Sequence, residues 1–146
     1  MLKTIRSILV LAAAVLVLAI GCSPQQAVTA EEEAGPAQVD EIAGSDVKRV
    51  TLTDDAVERI GVETAPVVVS AGHTLVPSST VLYDQDGRTW VYTEPETDVF
   101  IRAEISVIGT DGDMTLLSAG PLADTPVVTV GVAELYGTEL GVGDPE

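Results

Sequence analysis

The sequence predicts a mostly β chain: a small sandwich or barrel-like antiparallel sheet carrying one or two short helices. Three observations lead there. Val99, Ile101, Ala103, Ile105 and Val107 take every second position, with Arg102, Glu104 and Ser106 between them. A strand sends successive side chains to opposite faces, so this run should bury one face and wet the other. Runs rich in β-formers also recur about every ten residues between turn-forming clusters, the spacing of a small sandwich or barrel. Finally, the apolar residues are chiefly Val, Ile, Leu and Ala, with only five aromatics in the chain, which suits a small all-β core.

The chain begins with a basic stretch, Lys3 and Arg6, followed by the thirteen apolar or small residues Ile8 to Ile20. Spanning a bilayer as a helix takes about 20 residues. A short apolar run with a basic front and small residues at its end reads as a signal peptide over residues 1–21. Its end, Leu18-Ala19-Ile20-Gly21-Cys22, resembles the lipobox of bacterial lipoproteins, with Ala19 where leucine is usual. The resemblance implies that Cys22 is lipidated and becomes the new N-terminus. An ordinary secretory signal and an uncleaved anchor are the alternatives. Residues 22–47 hold Ala, Gln, Glu, Gly and Pro, an acidic run at Glu31-Glu32-Glu33 and no aromatic residue. Such a segment cannot bury enough apolar surface to offset chain entropy, so it is expected to be a disordered acidic tether.

The folded domain is expected over residues 48–143, about 95 residues, enough for one modest core. Val47–Leu52 reads as a first strand. A short helix should follow, capped by Thr53, with Asp54 and Asp55 at the positive end of its dipole and Gly61 as its stop. Leu52 and Val57 hold the positions of a hydrophobic staple. Val62–Val69 is the next strand, with Pro66 marking an edge or bulge, and Ser70–His73 turns the chain back. Leu75–Ile108 is then a β-meander. Within it, Thr80–Tyr83 and Thr89–Thr93 flank a turn at Asp84-Gln85-Asp86-Gly87. Gly109–Asp113 should form another hairpin turn, Met114–Leu117 and Val127–Val130 two more strands, and Gly131–Gly137 a last helical turn. Gly141–Glu146 is expected to fray.

The formal net charge is −16, and loss of Lys3 and Arg6 with the leader takes the remainder to −18. No basic patch is available to replace counterions on phosphates, which argues against nucleic acid. The same acidity argues against docking on anionic lipid. One cysteine excludes an internal disulfide framework, and one histidine, His73, excludes a triad or a two-His metal site within one chain. His73 sits in a Gly-containing turn and reads as a surface residue, with metal sensing as its rival reading. Asp84–Gly87 lacks the third acid and the distal Glu of a calcium loop and reads as a plain turn. Ser78-Ser79 lacks the glycines of a nucleophile elbow. Trp90 and Tyr92 share one strand face and form either core or an exposed partner-binding patch. No cofactor, metal site or catalytic residue is assigned, and an enzyme is not expected.

Several segments, in order, carry a family resemblance. Val50-Thr51-Leu52-Thr53 through Ile60-Gly61-Val62-Glu63-Thr64-Ala65-Pro66-Val67, then Val76-Pro77-Ser78-Ser79-Thr80-Val81-Leu82, resemble the membrane-proximal domain of periplasmic adaptor proteins. These are the membrane fusion, or haemolysin-D-like, proteins of RND and related efflux systems. Asp86-Gly87, Trp90-Val91-Tyr92, Phe100-Ile101-Arg102 and Gly120 to Val127-Val128-Thr129 continue the likeness, which covers most of Val50–Gly143. Thr80 stands where alanine is usual, and the Ser118–Leu122 loop is one residue longer than the family's. Full adaptors insert a lipoyl-like domain, a helical hairpin and a β-barrel between the two halves, whereas here only Ser70–Thr74 lies between them. The resemblance therefore implies the membrane-proximal module alone: a lipid-anchored, extracytoplasmic, non-catalytic accessory that contacts an inner-membrane transporter subunit. The alternatives are an envelope lipoprotein that binds metal or another cation through its acidity and His73, and a structural envelope lipoprotein.

Overall fold

The computed structural model describes residues 35–142, and the expected leader, Cys22 and the first part of the expected tether lie outside them. The described residues form β1 (Ala37–Glu41), β2 (Lys48–Leu52), α1 (Asp54–Ile60), β3 (Glu63–Pro66), β4 (Val68–Ser70) and β5 (His73–Pro77). A single 3-10 turn (Ser78–Thr80) leads to β6 (Leu82–Tyr83), β7 (Thr89–Glu96), β8 (Val99–Asp111), β9 (Met114–Ala119), β10 (Pro126–Val130) and α2 (Val132–Glu139). The fold is the mostly β, antiparallel, barrel-like one that the sequence predicts.

Barrel closure follows from one residue. The strands run in the order β3-β10-β7-β8-β9-β5-β4, and only Val67 separates β3 from β4 in the chain. The two ends of the row are thus one stretch of backbone. Val67 bridges the gap to the other side: its N–H donates to the Thr125 carbonyl at 2.9 Å, and its carbonyl accepts from the Asp124 N–H at 2.9 Å. Strand β8 holds the sheet together lengthwise. One edge pairs with β7, while the other pairs first with β2, at Val99–Ile101, and then with β9 from Ser106 onward. Register shifts around Val107 let it bend from one partner to the next.

Two apolar cores lie on either side of this wall. Inside the barrel are Val67, Val76, Val91, Ile105, Leu117 and Val127. Outside it, under the β1–β2 hairpin and both helices, are Val50, Leu52, Ala56, Tyr92, Phe100, Val128 and Leu135. Alternate residues of one strand therefore enter different cores, as Val91 and Tyr92 do on β7, or Val127 and Val128 on β10. This corrects the expected pattern of β8. Ile105 is buried as expected, but Phe100 and the Arg102 side chain on the opposite face are buried as well, and Val107 is 36 % exposed. The strand is walled on both sides only as far as Arg102; beyond it Glu104 and Ser106 are exposed, as the alternation predicts.

Local signals hold closely for α1. Thr53 Oγ1 accepts from the Ala56 N–H at 3.3 Å, and Gly61 takes φ 71° while its N–H bonds back to Val57. Two boundaries differ from expectation. Order begins before Val47, because Ala37–Glu41, placed in the expected tether of residues 22–47, pairs antiparallel with β2 from Ala37↔Leu52 to Glu41↔Lys48. Ala37 and Val39 pack on the outer core, an alternation too short to stand out among acids. At the other end, α2 runs past Gly137 to Glu139. Gly131, which precedes it, is needed twice over: its φ is 93°, and a Cβ there would lie 3.0 Å from Ile60 Cγ2 and 3.2 Å from Val62 Cγ2.

Candidate functional site

Alternation along β7 puts Trp90 and Tyr92 on the outer face of the barrel wall, and the register sets Tyr92 directly opposite Arg102 of β8. Helix α2 packs over that face and delivers Glu139, which is 2 % exposed. Three elements converge on this one carboxylate. Arg102 Nη2 donates to Oε1 at 2.8 Å, the Tyr92 hydroxyl donates to Oε2 at 2.5 Å, and the backbone N–H of Lys48 on β2 donates to Oε1 at 3.1 Å. Arg102 Nε lies 2.7 Å from Oε2, but its N–H is not aimed at that oxygen and is left without an acceptor.

The cluster extends outward as a ladder of stacked groups. The Arg102 guanidinium lies 4.7 Å from the centre of the Trp90 ring and 5.3 Å from that of Tyr136, while Arg88 lies 5.2 Å from Trp90 on the solvent side. Trp90 Nε1 donates to Asp84 Oδ2 at 2.9 Å. Asp84 in turn organises the β6–β7 turn. Its Oδ1 accepts from the N–H groups of Asp86 and Arg88 at 3.0 and 2.9 Å, its Oδ2 takes Arg88 Nε at 3.0 Å, and Gly87 supplies φ 78°.

Protonation preferences follow from these contacts. Burial raises the Tyr92 phenol, and the hydrogen bond to Glu139 with its negative charge raises it further, well above the ordinary tyrosine range. For Arg102, burial pulls down, but the hydrogen bond and charge of Glu139 outweigh it and the guanidinium is held more firmly charged. Burial likewise pulls the Asp84 carboxyl up. The bonds from Trp90, Arg88 and Asp86 and the Arg88 charge outweigh it, so its value falls below the ordinary one. What this arrangement does is mechanical. A buried, hydrogen-bonded ion pair fastens the last helix to the barrel and to β2, and removing either partner would strand the other charge in the interior.

The sequence-predicted residues fall as follows. Trp90 is 6 % exposed and Tyr92 fully buried, so neither presents the open partner-binding patch that was one reading of the pair. His73 is exposed beside the Ala71-Gly72 turn. Asp84–Gly87 forms a turn, and the Ser78 hydroxyl bonds to Thr115 Oγ1 at 2.9 Å. Among the described residues, no three His, Cys, Asp or Glu side chains are gathered as a metal-holding group. No described helix is long and apolar enough to cross a membrane. Sequence reasoning missed Arg102 and Glu139. Arg102 alternates with apolar neighbours as a wet-face residue does, and nothing local sets Glu139 apart from the other 22 acids. Comparison with family models, with curated proteins and with solved structures finds no match to this chain.

Proposed function

We propose that this chain is a lipid-anchored, extracytoplasmic, adaptor-like accessory of a membrane transporter that works by binding rather than by catalysis. One observation carries the reading, namely the order of the parts. A leader ending at Cys22 precedes a β domain on which the adaptor-like segments fall in succession. Val50–Val67 covers β2, α1 and β3, and Val76–Leu82 runs from β5 into β6. Asp86–Arg102 passes from the β6–β7 turn into β8, and Gly120–Thr129 ends in β10. The two-residue turn at Ala71-Gly72 joins β4 to β5, where full adaptors carry their remaining domains. This supports a membrane-proximal module standing alone. With β1 already part of the fold, fourteen residues separate Cys22 from Ala37.

Two measurements test the reading at its two joints. Cys22→Ser should move the protein from the membrane to the soluble fraction, whereas persistent retention would mean an uncleaved anchor. In-cell crosslinking of the anchored protein, followed by mass spectrometry, should recover a transporter subunit. Capture of envelope polymer alone, or of nothing, would sink the adaptor reading.

A further inference from the structure

Charge is unevenly spread over this molecule. The chain holds 23 acids and 7 bases, yet β4, β5, β9 and residues 105–110 of β8 include one ionisable side chain, His73. Acids return at the margins of this wing: the exposed Glu104 of β8 just before it, Asp111 and Asp113 at the β8–β9 turn, and Asp124 in the loop before β10. The wing also leaves apolar side chains open. Val69 and Ile108 are each 56 % exposed, Val68 is 43 % exposed, and Leu122, in the loop after β9, is 83 % exposed. Strand pairing sets Val68, Leu75 and Leu116 side by side on the outer face, with Pro77 and Met114 one step along. On the other face, Val69, Thr74, the buried Leu117 and Val107 follow one another in a row across β4, β5, β9 and β8.

We propose that the uncharged wing is a self-association surface, through which two copies of this chain pair wing to wing about a two-fold axis. An isologous contact sets a patch against its own copy, so the patch must be self-complementary. An acidic surface fails that condition, because it brings like charges together, whereas a neutral apolar one meets it. The rest of the molecule favours the same arrangement. The chain enters at Pro36, whose carbonyl accepts from the Thr53 N–H. That places the start of the domain beside Asp54, Asp55 and Asp98, about 30 Å along β8 from Ile108. Wing-to-wing pairing keeps the two acidic ends, each beside its Pro36, far apart. An anionic bilayer repels a body of this charge, and a basic partner would be drawn to the acidic end rather than to the wing.

Sedimentation velocity of the full chain in a mild non-ionic detergent tests this, over a wide range of protein concentration at low and high salt. The mean mass should climb toward twice the monomer's. Salt should favour the dimer, because it screens repulsion between the acidic bodies; a contact held by ion pairs would respond in the opposite sense. Val69→Asp combined with Ile108→Asp should raise the dissociation constant at least about tenfold, at an unchanged circular dichroism spectrum. In the native membrane, Val69→Cys should give a disulfide-linked dimer above the wild-type background, and Glu96→Cys should not. A monomer at every concentration, or a folded double variant that pairs as the parent does, overturns the proposal. So does a Val69 crosslink that reaches only a different protein.

Discussion

Glu139 is the residue on which most depends, since Arg102, Tyr92 and the Lys48 N–H all end on its two oxygens. Glu139→Ala should cost about 3–5 kcal/mol, because it leaves a buried guanidinium unpaired, while Glu139→Leu with Arg102→Met should recover much of that loss. Urea denaturation of the three proteins checks both expectations. Tyr92→Phe should cost about 1.5–3 kcal/mol through the lost bond to a charged acceptor. Its pH signature has a definite sign. A phenol raised by folding contributes stability below its ordinary value of 10.0 that is lost as pH climbs, so Tyr92→Phe should flatten the alkaline limb of stability against pH. Asp84 behaves in the opposite way. Its lowered carboxyl contributes stability above the ordinary value of 3.8, and that contribution fades as pH falls toward the lowered one. Asp84→Asn should therefore flatten the acid limb. Asp98 sits at φ 61°, and burial with the charge of Asp54 raises its carboxyl. Asp98→Asn keeps a side chain tolerant of that backbone and removes the repulsion. It should be neutral or stabilising by up to about 0.5 kcal/mol at neutral pH.

At the scale of elements, β8 makes the sharpest test. Ile105→Asp puts a charge inside the barrel, and Arg102→Asp sets a second carboxylate beside Glu139 outside it. Both should unfold the domain or lower its denaturation midpoint severely, a joint outcome that a strand with one wet face would not give. Thr53→Ala should cost about 1 kcal/mol by freeing the Ala56 N–H at the start of α1. Elements written in local chemistry were legible in the sequence: the Thr53 cap, the Gly61 stop, the Asp84–Gly87 turn and the alternation of β7 and β8. What stayed hidden was non-local. Alternation says that two faces differ, but not that each has its own core, so Arg102 reads as solvated until α2 is seen lying over it. The same holds for Ala37 and Val39, whose burial depends on β2 and α2 rather than on their own neighbours in sequence.

For the whole molecule, removal of residues 35–47 from the folded domain, as the sequence boundary at Lys48 would suggest, should lower stability measurably, since it uncovers Val50 and Leu52 and leaves β2 as an unpaired edge. Thermal unfolding of the shortened and full chains checks this. The shared wall has a further consequence, for the order of events during synthesis. Strand β10 gives Val127 to one core and Val128 to the other, it fills the place between β3 and β7, and only after it come Leu135 and Glu139. A chain made from its N-terminus therefore cannot finish the inner core before Val127, or the outer one before Leu135, has emerged, because the decisive contacts join the two ends of the domain. Nascent chains ending before Pro126 should remain protease-sensitive along their whole length, and folding should begin all at once when the ribosome has released the C-terminal helix.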